Sequence, residues 1–157
     1  MPFIHLTTFI AAPQDRVFDL SRSLNLHKAS MKQYNESIID GKMTGLLELN
    51  ETVTWTAKHL MKQRVLKIKM TKLHQPEYFI DEQETGDFEM LKHEHYFKAV
   101  DNGTIMIDQF HFETPNGFFG RIFNNIYLEN YMTKLLKERN ETIKKIAESN
   151  LWKQYLA

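Results

Sequence analysis

The chain has 157 residues, with 20 Lys and Arg balanced by 20 Asp and Glu, and no cysteine. That length fits a single domain over residues 1–157, large enough for a core or for a core with a cavity. The zero net charge argues against nucleic acid as a partner, because its binders carry a basic excess. Without cysteine there can be no disulfide and no thiolate metal site, and a reducing cytosol suits such a chain. Met1-Pro2-Phe3-Ile4-His5 has neither a basic segment nor a long apolar run, so no signal peptide is expected. No apolar run approaches the ~20 residues that span a bilayer, so no integral membrane segment is expected either.

Phe3 to Ile10 is rich in β-formers and reads as a strand. Ala11-Ala12-Pro13 ends it, and Pro13 and Asp15 suit the first turn of a short helix through Val17, Phe18 and Leu20. Leu24 to Met31 reads as a second short helix, capped by Ser23 or Asn25. The first strand therefore has no hairpin partner beside it and must pair with a later one. A short strand at Glu36–Ile39 follows, then turn signals at Asp40-Gly41 and Gly45. Glu51 to Leu60 alternates, with Val53, Trp55, Ala57 and His59 on one face. Arg64 to Leu73 alternates again, with Leu66, Ile68 and Met70 together, until Pro76 breaks the run. Tyr78 to Glu84 is shorter, and Gly86 closes it. Phe88 to Val100 places Leu91, His93, His95 and Phe97 on one face. After the Asp101-Asn102-Gly103 turn, Met106, Asp108, Phe110 and Phe112 share a face of the last strand. With the first strand this makes an antiparallel sheet of about seven.

Phe118 to Asn150 is the longest uninterrupted helical pattern. Apolar residues recur in steps of three and four at Phe119, Ile122, Phe123, Ile126, Tyr131, Leu135, Leu136, Ile143 and Ile146. At 1.5 Å per residue this predicts a helix roughly 45–50 Å long. Its apolar stripe needs a large partner, and the strand-rich middle of the chain is the candidate. A long twisted sheet curls, and a helix across its concave face buries both apolar surfaces. The expected fold is α+β, with a cavity wherever the helix does not fill the curl.

The order of one strand, two short helices, about six strands and one long helix resembles the helix-grip superfamily of START-type lipid-transfer domains, plant pathogenesis-related proteins and polyketide cyclases, together called SRPBCC. The resemblance covers nearly the whole chain. Ser21-Arg22-Ser23 with Leu26-His27, and Val53-Thr54-Trp55, are similar to segments of a bacterial subgroup. So are Tyr78-Phe79-Ile80-Asp81-Glu82-Gln83, Gly86-Asp87-Phe88, Lys92-His93-Glu94-His95 with Phe97, and Pro115-Asn116-Gly117-Phe118-Phe119-Gly120. Asp87 departs from that subgroup, where Pro or a small residue usually follows the glycine. The resemblance implies a ligand cavity and no defined reaction, since fold alone does not set function.

His93 and His95 stand two apart on one strand and so face the same way. Neighbouring strands are expected to bring Asp81 and Asp108 to them. The apolar wall is expected from Trp55, Ile68, Met70, Leu91, Phe97, Met106 and Phe110, with His59 on the same face as Trp55, while Phe119 and Phe123 near the helix start belong either to a cavity mouth or to ordinary core. The polar cluster supports several readings: a hydrogen-bond network internal to the sheet face, a ligand-orienting group in a mostly apolar pocket, or a His–Asp acid–base pair. His-x-His with a carboxylate also meets ligand rules for a metal, but no metal and no cofactor is expected. The leading functional reading is a binder of one small apolar molecule, lipid-like or polyketide-like. Its rivals are a cofactor-independent cyclase, aromatase or hydratase, and an interaction module with a vestigial cavity.

Overall fold

The computed structural model describes residues 3–115 and 125–156. Strand β1 (Phe3–Ile10) runs into helix α1 (Gln14–Ser21), which Pro13 starts from the N-cap position with φ −62°, one place earlier than the first turn. Helix α2 (Leu24–Ser30) begins at Ser23, whose hydroxyl accepts from the Leu26 N–H. Such a cap contributes about 1 kcal/mol. A short 3-10 turn at Lys32–Tyr34 leads to β2 (Ser37–Gly41). The meander continues through β3 (Thr52–His59), β4 (Lys62–His74), β5 (Tyr78–Thr85), β6 (Met90–Val100) and β7 (Gly103–Glu113). Helix α3 is described over Asn125–Ala147. The expected start of that helix, from Phe118 on, lies outside the described residues. Its end falls three residues short of the expected Asn150. Ser149 caps a new 3-10 turn at Asn150–Trp152, and a four-residue helix α4 (Lys153–Leu156) follows.

All seven strands form one antiparallel sheet in the order β1-β7-β6-β5-β4-β3-β2. β1 pairs with β7, Ile4 opposite Phe110 and Ile10 opposite Thr104, which gives the first strand its late partner. Alternation places the inner face as expected: in β7, Thr104, Met106, Asp108, Phe110 and Phe112 are all buried. Register shifts interrupt β2–β3 pairing near Ile38 and β4–β5 pairing near Lys67 and Met70. Such bulges bend strands and increase twist, and here they let the sheet curl around α3. The β3–β4 hairpin turns on Leu60 and Met61, both left-handed at φ 53° and 64°. Two-residue hairpins want that backbone, but Asn and Gly are the residues that adopt it without strain. In larger residues it costs about 1–2 kcal/mol each.

The core has two parts. In one, α1 and α2 plug one end of the curl, with Phe18, Leu20 and Leu26 packed among Phe79, Phe97, Met106, Ile143 and Ile146. In the other, Ile4, Leu91, Phe110 and Phe112 meet Leu128 and Leu136 of α3. No helix among the described residues is long and apolar enough to cross a membrane.

Candidate functional site

Between the two core parts lies a cavity of about 230 Å³. Met70 and Phe79 of the first part and Leu91, Phe110 and Leu136 of the second line it, and Ile68, Met132 and Leu135 complete an apolar wall. Of the residues predicted for the site, Trp55, His59, Ile68, Met70, Asp81, Leu91, His93, His95 and Phe110 line this space. Phe97, Met106 and Asp108 are buried but do not border it. Phe119 and Phe123 lie outside the described residues.

One side of the cavity is built by β5, β6 and β7. The register sets His93 opposite Asp81 on one side and Phe110 on the other, and His95 between Phe79 and Asp108. The hydrogen bonds, however, run diagonally: His93 Nε2 donates to Asp108 Oδ1 at 2.7 Å, and His95 Nε2 meets Asp81 Oδ2 at 2.9 Å. Diagonal neighbours are within reach of long side chains across a twisted pair of strands. The rings form a column, with Phe79 stacked on His95 at 4.0 Å and His95 on His93 at 3.7 Å between centroids. This is the cluster of Asp81, His93, His95 and Asp108 anticipated from the alternation of the strands.

Helix α3 adds two members that the sequence reading did not include. Asn140 Nδ2 donates to Asp108 Oδ2 at 2.7 Å, and Arg139 Nη1 lies 3.5 Å from Asp108 Oδ1. Arg139 Nη1 also donates to Asn140 Oδ1 at 2.9 Å, and its Nη2 to the carbonyl of Ser21, the last residue of α1, at 3.2 Å. A cation there satisfies a helix-terminal carbonyl. The signal was present in the spacing: Arg139 and Asn140 follow Leu135 and Leu136 and precede Ile143 by steps of three and four, so they stand within the apolar stripe. Both are almost fully buried.

Arg139 also fixes the tautomer of His95. Its Nη2 stands 3.4 Å from His95 Nδ1. A guanidinium can only donate, so Nδ1 must accept and the ring proton must sit on Nε2, facing Asp81. That assignment requires a neutral ring. Burial, the adjacent His93 and Arg139 together hold His95 down at about 4 against the opposing pull of Asp81. Burial pushes Asp81 up, but its contact with His95, then His93 and Arg139, leave it below the usual carboxylate value. Burial likewise opposes ionisation of Asp108, and the His93 hydrogen bond and Arg139 outweigh it, so Asp108 is held well below that range.

Asp81, His93 and His95 each bring one potential ligand atom within 4.8 Å of the others. The count is adequate for a metal, but the chemistry is unfavourable. His95 and Asp81 already bond each other, His93 bonds Asp108, and a guanidinium stands against the His95 ring. A divalent cation would have to displace these bonds beside a fixed positive charge.

The opposite side of the cavity is built from α2, the turn before β2, and β3. His27 packs on Trp55 with ring centroids 4.6 Å apart. His59 Nδ1 meets Tyr131 Oη at 2.9 Å, and its ring lies 4.9 Å from that of Tyr34. Burial lowers the pKa of His59, with the charge of Glu36 opposing. Glu36 also lines the cavity, and its side chain is only 6% exposed. Arg22 also lines the cavity, and it is tied to Asp19 at 2.9 Å, to Glu48 and to the Leu47 carbonyl.

No protein-family model matches this sequence, and no curated protein is detectably similar to it. Solved structures do match. The Zhui aromatase/cyclase from Streptomyces sp. R1128 is 14% identical, with 93% of each chain covered and a TM-score of 0.74. TTHA0849 from Thermus thermophilus is 18% identical over 90% of this chain and 97% of its own, with a TM-score of 0.67. Ara h 8.0201 is 12% identical over 92% of this chain and 96% of its own, with a TM-score of 0.64. The fold is therefore the helix-grip fold.

Proposed function

We propose that this protein binds one small, mostly apolar molecule, lipid-like or polyketide-like, in the cavity between sheet and α3. The observation that carries this reading is a mostly apolar space of about 230 Å³ between sheet and α3. An engineered cavity of about 150 Å³ already stays dry and takes up benzene, so this one is large enough for a fused or substituted ring. An open volume of that size also counts against a vestigial cavity. His93, His95 and Asp81 form a polar patch on one wall, where the carboxylate can accept from a hydroxyl of the ligand. The cysteine-free sequence is compatible with a cytosolic location.

The test is an environment-sensitive apolar dye, expected to saturate near one site per chain. Ile68→Phe, which fills the wall, should weaken the dye while changing stability by less than ~1 kcal/mol. In a packed core the same enlargement costs about 1–3 kcal/mol. A dye that never saturates, together with a destabilised Ile68→Phe, would overturn the proposal.

A second reading is a cofactor-independent enzyme of the cyclase, aromatase or hydratase kind. It is favoured by one observation: His93 and His95 both border the cavity and both contact carboxylates. Against it, both nitrogens of His95 already face partners, Asp81 and Arg139. His95→Gln separates the two, since binding should persist under either reading while any turnover would be lost only under the second.

A further inference from the structure

Resting on the ligand-binding reading above, we infer that the β2–β3 end of the cavity is an ammonium subsite, in which Glu36 receives a protonated amine carried on the ligand's apolar body. The subsite lies four strand positions along the sheet from β6, which carries His93 and His95. Glu36 and the two histidines line the same cavity.

Glu36 Oε1 is buried and makes no hydrogen bond with any described residue. His27 Nε2 stands 2.8 Å away, an ion-pair contact when that ring is protonated, but it makes no hydrogen bond with Oε1, so a ligand ammonium would take the place of this contact. Among the described residues this is the one buried side-chain oxygen or nitrogen left in that condition. Buried acceptors without a hydrogen bond are rare and costly. The wall around it is aromatic, with Trp55 and Tyr131 lining the same space. Aromatic faces attract cations, most strongly where water is excluded. A carboxylate acceptor beside aromatic faces discriminates by sign of charge: it gains a charge-assisted bond from an ammonium, a weaker one from a hydroxyl, and repels a carboxylate. The opposite end has no such demand, because Arg139, Asn140 and the two histidines already satisfy its carboxylates.

The experiment uses compounds of one shape: phenethylamine, phenethyl alcohol, propylbenzene and hydrocinnamate, each displacing the apolar dye near neutral pH, where the amine is protonated. Phenethylamine should displace the dye from the wild-type protein at a concentration about tenfold or more below that of propylbenzene, the scale of one hydrogen bond to a charged group. The alcohol should fall between them, and hydrocinnamate should be weakest. Glu36→Gln should abolish the amine preference and leave propylbenzene unchanged. A wild-type protein that prefers propylbenzene or hydrocinnamate overturns the inference without any variant, as does a folded Glu36→Gln that keeps the amine preference. Saturable dye without amine preference removes this inference alone, whereas a dye that fails to saturate removes the cavity reading as well.

Discussion

At the β6–β7 end of the cavity, each buried carboxylate has hydrogen-bond partners; at the β2–β3 end, Glu36 Oε1 makes no hydrogen bond. Both ends combine histidines with carboxylates, so side-chain type does not distinguish them. The difference lies in what α3 brings. Arg139 and Asn140 reach across to Asp108 and tie sheet, α1 and α3 into one network. Near Glu36, α3 contributes Tyr131, which bonds His59 and not Glu36. A satisfied polar network holds elements in register and presents little unmet demand to a ligand. An unsatisfied acceptor on a cavity wall leaves that demand for the ligand to meet.

Removing one member from each end should produce the largest difference. Arg139→Met should destabilise the protein by about 3–5 kcal/mol, because it leaves Asp108 and Asp81 buried without their cation. Glu36→Gln should stay within about 1 kcal/mol of wild type or stabilise it, since it removes a buried negative charge whose Oε1 has no hydrogen bond to lose and gives up only the contact with half-buried His27. Urea unfolding measures both. Equal losses would mean that the two ends are alike and that Glu36 is part of the structural network.

Acid should expose the same contrast in two stages. His95 titrates at about 4 in the folded protein against 6.5 when unfolded. Between those values the unfolded chain binds the extra proton, so stability is full above about pH 6.5 and falls as pH drops toward 4, by roughly 3 kcal/mol. His59 is shifted in the same direction by burial and adds to the slope. Asp81 and Asp108 are lowered, so their contribution is present above the ordinary carboxylate range and is lost only below it. Melting curves from pH 8 to pH 3, as an order-of-magnitude window for these groups, should show the first decline flattened in His95→Gln and only slightly changed in His59→Gln. An unchanged slope in His95→Gln would contradict the neutral tautomer imposed by Arg139.

The smallest effect concerns the β3–β4 turn, where Leu60 lines the cavity and Met61 is 88% exposed. Met61→Gly relieves a left-handed backbone at the expense of unfolded-state entropy, and should stabilise by roughly 0.5 kcal/mol. Thermal melting detects this, and a loss of stability would show that the turn is held by contacts of the Met61 side chain.

Strand and helix order were legible in the sequence because period is a local property. Alternation in Phe88–Val100 assigned Leu91, His93, His95 and Phe97 to one face, and the structure buries all four. The unpartnered first strand implied a late partner, and β7 supplies it. The same logic gathered Asp81, His93, His95 and Asp108, because antiparallel neighbours share a face. Alternation does not say which residues border empty space, and Phe97, Met106 and Asp108 carry the same pattern as the residues that do.

How those charges are satisfied depends on the packed chain. The pairing of His93 with Asp108 and of His95 with Asp81 is diagonal, so it depends on sheet twist as well as on register. Arg139 lies 44 positions from His95 in the chain, and its contact with Nδ1 sets that ring's tautomer across the gap between helix and sheet. Glu36 reads locally as a residue at the start of a strand, and its missing hydrogen bond exists only once α2, β2 and β3 have closed around it. Periodicity assigns a side chain to a face from its own neighbours in the chain. Whether a buried charge finds a partner is fixed by distances between segments far apart in sequence, to within a few tenths of an ångström.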